Sequence, residues 1–270
     1  MKKLILVIVL ALVLVLGTIN ITGAVTDGEL DGNGHPYVVL LLMEVGGEPM
    51  YRCSATLLSP TVVLTAGHCT SNYPDEPYSG MRVFTEADVD SGNNNYPYKG
   101  KNSFEAKAWY AHPLYKTAPF FVHAVGVVIL KKPIRLDEYG ELPEAGQLDE
   151  LAAEVKKPDI TFTSVGYGLQ KSFPDAASWK DQADRVRMVA YPQLLQINTG
   201  FTGDFSLLLS NNTNTGGTCF GDSGGPNFLG DTNIVAGVTS YGLNWACGGT
   251  GGVFRVDRPD VLEFVTSFLK

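Results

Sequence analysis

Apolar residues of this chain recur in short runs, and that spacing is the strongest constraint on its fold. Residues 37–42, 55–58, 62–66, 81–84, 107–110 and 125–130 form one set; 160–165, 185–191, 234–239 and 253–256 form a second. A short run between turn residues reads as a strand, because a helix needs a longer stretch with a period of about 3.6 residues. Ser59-Pro60 reads as the turn between two of the runs, and 93–95 as an exposed Asn-rich loop. Glycine is abundant at 30 residues and only 18% of the chain is charged, which suits many turns better than long helices. The acidic stretch 137–159 separates the two sets and reads as a connector, so the expectation is an all-β fold of two barrel halves. Helical spacing enters only at the end, with Val261, Leu262, Val265, Phe268 and Leu269, and Asp260 is expected to cap that helix.

The first residues read as a targeting signal. Lys2 and Lys3 precede an apolar run at 4–16, and Thr22-Gly23-Ala24 offers small residues before a cut. A secretory leader at 1–24 is expected, and the run is short for a membrane span. Its removal takes the net charge from −8 to −10. With no basic runs beyond isolated pairs, nucleic acid is not an expected partner. Nor is a membrane, once the leader is cut.

Secretion would permit disulfides, and the four cysteines allow three connectivities. Cys53 with Cys69 and Cys219 with Cys247 is the simplest pairing, since each pair is close in sequence. Zinc is the competing reading, but no CxxC or HxxxH pair is present, so no metal is expected.

Two motifs carry chemistry. Gly221-Asp222-Ser223-Gly224-Gly225-Pro226 surrounds a serine with residues that let the backbone turn tightly. A serine hydroxyl needs an adjacent base and a site for the oxyanion, and the N–H groups of Gly221 and Ser223 are the expected donors. Thr65-Ala66-Gly67-His68-Cys69 closes an apolar strand and offers His68 as that base.

Together, TAGHC and GDSGGP resemble the signature pair of the trypsin/chymotrypsin-like serine proteases. Cys53-Ser54-Ala55-Thr56-Leu57 resembles that family's strand before the histidine, and Ala111-His112-Pro113-Leu114-Tyr115 the strand before its aspartate. Ser164-Val165-Gly166-Tyr167-Gly168 resembles the opening of its second barrel. The opening Val25-Thr26-Asp27-Gly28 and His35-Pro36-Tyr37-Val38 look like bacterial members. The resemblance implies two six-stranded antiparallel β-barrels with a C-terminal helix. It divides the peptidase domain, 25–270, into halves at 25–145 and 146–270. It implies a secreted, monomeric endopeptidase that acts on polypeptides through an acyl-enzyme and needs no cofactor.

It also implies roles for further residues. Ser240, Tyr241 and Gly242 would bind substrate backbone, and Cys219–Cys247 would flank the primary pocket. Gly217, where members that cleave after Lys or Arg carry an aspartate, would lie at the pocket bottom. With Thr218, Gly242 and Gly252 it implies a neutral pocket for apolar or aromatic side chains. Cleavage after Ala24 would free Val25 to pair its ammonium with Asp222.

One position departs from the family. The triad aspartate would stand at 124, but the chain has Ala124, and no Asp or Glu occurs between Glu105 and Asp137. That aspartate holds the imidazole in the right tautomer, and in a well-studied family member its loss costs about 10⁴-fold, or roughly 5–6 kcal/mol. Three accounts stand: a natural pseudoprotease that only binds proteins, rescue by another carboxylate, or a substitution made to trap substrate.

Other signals are weaker. Asp27, Glu29, Asp31 and Gly32 begin like a calcium loop, but its twelfth position is Val38, not Glu. Asn211-Asn212-Thr213 is a glycosylation sequon. His35 and His112 each precede proline and are expected in turns or strand ends.

Overall fold

The computed structural model describes residues 25–71, 77–119, 121–153, 160–170 and 183–270. The expected leader, 1–24, and the end of the connector, 154–159, lie outside the described residues. In the first half the strands are β1 (Glu29–Leu30), β2 (Val38–Val45), β3 (Glu48–Leu57), β4 (Val62–Ala66), β5 (Tyr78–Phe84), β6 (Ser103–Ala111) and β7 (Val125–Leu130). A 3-10 turn follows at Gln147–Ala153. Then come β8 (Phe162–Gly166), β9 (Met188–Ala190), β10 (Leu194–Thr199), β11 (Gly203–Asn211), β12 (Pro226–Leu229), β13 (Val235–Gly242), β14 (Gly249–Arg255) and a helix, Pro259–Thr266.

The first half closes as a barrel in the order β2-β3-β4-β7-β6-β5. Its leading hairpin turns at Gly46-Gly47, with φ of 61° and 88°, the conformation that matches strand twist in a two-residue loop. The second half, joined by β1 of the first, forms an eight-stranded antiparallel sheet in the order β1-β9-β8-β12-β13-β14-β11-β10. β9 and β10 are two pieces of one bent strand, separated only by 191–193. Pro192 has no N–H to give to the ladder, so pairing breaks there. The first piece pairs with β8 and the second with β11, which curls the sheet round on itself.

The short runs are apolar on both faces because each half packs against the other. Leu40 and Leu41 of β2 share one buried cluster with Val165, Tyr167, Phe228 and Val238 of the second half. Leu148, Phe162, Leu207 and Val253 fill the interior of the second half. Both local disulfides are formed, Cys53–Cys69 and Cys219–Cys247.

Two local expectations need correction. Asn94, in the Asn-rich loop, is buried rather than exposed: its Nδ2 donates to Val89 O (2.9 Å) and its Oδ1 accepts from Tyr96 N (2.7 Å). Asp260 does not cap the C-terminal helix. Arg258 holds the N-cap position and Pro259 the first helical turn, which leaves Asp260 inside that turn, where its Oδ2 lies 3.0 Å from His123 Nδ1. Val261 and Val265 bury the helix on the first-half core.

Candidate active site

His68 is delivered by β4, whose five residues are all buried, on the helical turn Gly67–Thr70. That turn is pinned three ways. Cys69 is bonded to Cys53 on β3, Thr70 Oγ1 donates to Gly67 O (3.1 Å), and a Cβ at Gly67 would lie 2.6 Å from the Tyr115 ring. Burial pushes the His68 imidazole down to about 4, and no carboxylate among the described residues contributes to the shift. Ala66 pairs with Val125, the first residue of β7, so the fully buried Ala124 immediately precedes that strand beside the His68 turn.

Ser223 sits in the turn before β12, and its flanking glycines are required by close approaches from both halves. A Cβ at Gly224, where φ is 78°, would lie 2.0 Å from Thr65 Oγ1 and 2.6 Å from Ala66 N. A Cβ at Gly225 would lie 2.7 Å from Val165 O. The close approach lets Ser223 O accept from Ser54 N (2.9 Å), while Gly224 N donates to Thr239 O (2.8 Å). Gly221 adopts φ of 98°, and its carbonyl accepts from Ser54 Oγ (3.0 Å). Asp222 is fully buried. Desolvation pushes its carboxyl up to about 7, opposed by N–H donation from Cys219 (2.9 Å) and Gly168 (2.8 Å) and by the charge of Arg52.

His68 and Ser223 open on one cavity of 590 Å³, lined also by Thr218, Ser240, Tyr241 and Gly242. Register slips between Thr239 and Tyr241, which leaves Ser240 outside the β13–β14 pairing. Ser240 Oγ is buried and has no hydrogen-bond partner among the described residues. Gly252 lies behind the lining, where a Cβ would meet the Tyr241 ring at 2.4 Å. Gly217 also stands behind it, against Asn211. Val25 is fully buried with Met188 and Ala190, and Thr26 O accepts from Gly217 N (3.0 Å).

Sequence reasoning missed part of this cavity. Phe220 and Trp245 stack at its rim, with ring centroids 6.3 Å apart and planes 20° apart. The usable signal was an aromatic immediately before GDSGGP and another beside Cys247. Asn211 of the sequon is buried and bonded at both ends of its amide, so that nitrogen cannot be glycosylated in the folded chain.

Among the described residues, two groups of side chains bring possible metal ligands together. In one, Cys53, His68 and Cys69, both sulfurs are spent in the disulfide. In the other, His112, His123 and Asp260, His112 Nδ1 accepts from Leu114 N (3.2 Å). That bond places the proton of neutral His112 on Nε2, the nitrogen facing Asp260, and removes the lone pair an ion would need.

The geometry agrees with known proteins. A family model described as trypsin matches residues 27–260. A trypsin of Saccharopolyspora erythraea is 29% identical over 230 residues, covering 82% of this chain and 87% of that protein. Brachyurin of Leptuca pugilator is 24% identical, covering 88% and 91%. Among solved structures, HL collagenase superposes with a TM-score of 0.67 at 18% identity, covering 90% of this chain and 98% of that one, a likeness of fold. A histidine and a serine lining one cavity between two β halves and a family match over most of the chain point the same way: the chain belongs to the trypsin family of serine proteases.

Proposed function

We propose that the chain is a secreted serine endopeptidase, of the type found in bacteria, in which Ala124 weakens the catalytic base. One observation carries this reading: His68 from the first half and Ser223 from the second line the same cavity, beside Ser240, Tyr241 and Gly242. In this reading Ser223 Oγ attacks the scissile carbonyl while His68 takes its proton and returns it to the leaving amine. The N–H groups of Gly221 and Ser223 receive the oxyanion. The substrate chain lies along 240–242, and its side chain enters a neutral pocket bounded by Thr218. Apolar and aromatic residues suit that pocket, since nothing assigned to its wall carries a charge.

The His68 environment cuts both ways. A value of about 4 keeps the imidazole neutral, and so able to accept a proton, at neutral pH. It also makes the imidazolium costly, by about 3 kcal/mol relative to a solvated histidine. In a complete triad the aspartate offsets that cost. Cutting after Ala24 would place an ammonium on the buried Val25, with Asp222 as its partner. The product is a monomer that needs no metal.

A fluorophosphonate probe tests the reading. Labelling of Ser223, abolished by Ser223→Ala, is expected at a slow rate. Complete inertness, with no gain in Ala124→Asp, would instead make the chain a silent binding protein on a protease fold.

A further inference from the structure

The residue placed at the pocket bottom, Gly217, has no side chain, yet the space beside it is filled. A Cβ built on Gly217 would lie 2.2 Å from Asn211 Cγ, 2.5 Å from its Oδ1 and 2.6 Å from its Cβ. The backbone is not the obstacle, since the φ of Gly217 lies outside the left-handed region. Asn211, at the end of β11, therefore occupies the volume that a side chain at 217 would need.

Its amide is committed in two directions. Nδ2 donates to Thr218 O (2.8 Å), and Thr218 lines the cavity. Oδ1 accepts from Thr26 Oγ1 (2.8 Å), a hydroxyl that also reaches Gly217 O (3.1 Å). Thr26 O in turn accepts from Gly217 N (3.0 Å). Thr26 and Asn211 are both buried, at 0% and 2% exposure, so unmade bonds there would be costly. Only an amide satisfies both partners. A carboxylate would turn an acceptor toward the Thr218 carbonyl, and an apolar side chain would leave both groups unpaired.

We propose that Asn211 is the positioning residue that sets the floor of the primary pocket. By filling the 217 volume it excludes an acidic floor and holds the pocket neutral. By gripping Thr218 O it fixes the wall, and through Thr26 it ties that wall to the seating of residues 25–26. The inference rests on the peptidase reading only for the location of the pocket. A cationic substrate side chain entering such a pocket loses its hydration and gains no counter-charge, so the class accepted is neutral.

The test compares Gly217→Asp, Asn211→Gly and the double variant, each as the full secreted chain, by titration with the fluorescent amidinium p-aminobenzamidine. Binding needs no acyl transfer, so a silent Ser223 leaves the measurement intact and separates this inference from the peptidase reading. Gly217→Asp alone is expected to bind no tighter than the parent, and the double variant at least about tenfold tighter than either single change, as one buried ion pair allows. Equal binding by Gly217→Asp and the double variant would overturn the proposal, and so would a double variant with no gain. Where Gly217→Asp is not secreted, the thermal midpoints of Gly217→Ala and Asn211→Gly/Gly217→Ala decide. A midpoint that Gly217→Ala lowers in the parent but not in the Asn211→Gly background supports the steric account, and an unchanged Gly217→Ala midpoint in the parent refutes it.

Discussion

Replacing Ala124 by Asp isolates what a carboxylate at that position would do. Burial alone takes His68 from 6.5 down to about 4. A carboxylate about 4 Å from the ring, at an effective dielectric constant near 20, would supply about 4 kcal/mol, or roughly 3 pKa units. The imidazole of Ala124→Asp should therefore titrate near about 7 rather than 4. Because proton transfer to His68 is part of the attack, the same energy should raise fluorophosphonate labelling of Ser223 by on the order of 10³-fold at neutral pH. The assay is the labelling rate against pH, read by intact mass, with the His68 ring protons followed by NMR. The parent's acid limb should lie at about 4 and move upward in the variant. A folded Ala124→Asp with unchanged limb and rate would refute the argument, because it would mean that residue 124 does not face His68.

Other outcomes follow from the same geometry. His68 binds its proton less readily folded than unfolded, so stability should fall as pH drops from 6.5 toward 4 and level off below, by up to about 3 kcal/mol. His68→Ala should remove that part of the pH dependence in denaturant titrations. Gly224→Ala puts a methyl 2.0 Å from Thr65 Oγ1 at a positive φ, and should lower stability by about 3 kcal/mol or more, seen as a reduced thermal midpoint. Intact mass of the secreted protein should begin at Val25. Asp222→Asn should then slow Ser223 labelling while both disulfides still form, and a labelling rate equal to the parent's would remove Asp222 from the activation step.

The strands that were legible are those with continuous apolar runs, such as β4 and β7, because burial on both faces leaves that mark in one dimension. β10 mixes apolar and polar residues without a regular period, β12 starts at a proline inside the serine motif, and β1 has only two residues, so none stood out. The aromatic rim was equally hidden. Phe220 and Trp245 are separated in sequence and meet on loops that the Cys219–Cys247 bridge joins.

By itself the sequence determined the all-β class and the family's motif pair and favoured the local disulfide pairing that formed, since each is written in adjacent residues or in regular spacing. Tertiary structure alone decided that Gly224 must be glycine because Thr65 of the other half lies against it. It alone placed Asn211 where a side chain at 217 would go, and sealed Ala124 in the core beside the His68 turn. Such contacts join segments far apart along the chain, and they depend on how two separately patterned halves pack, which no local period records.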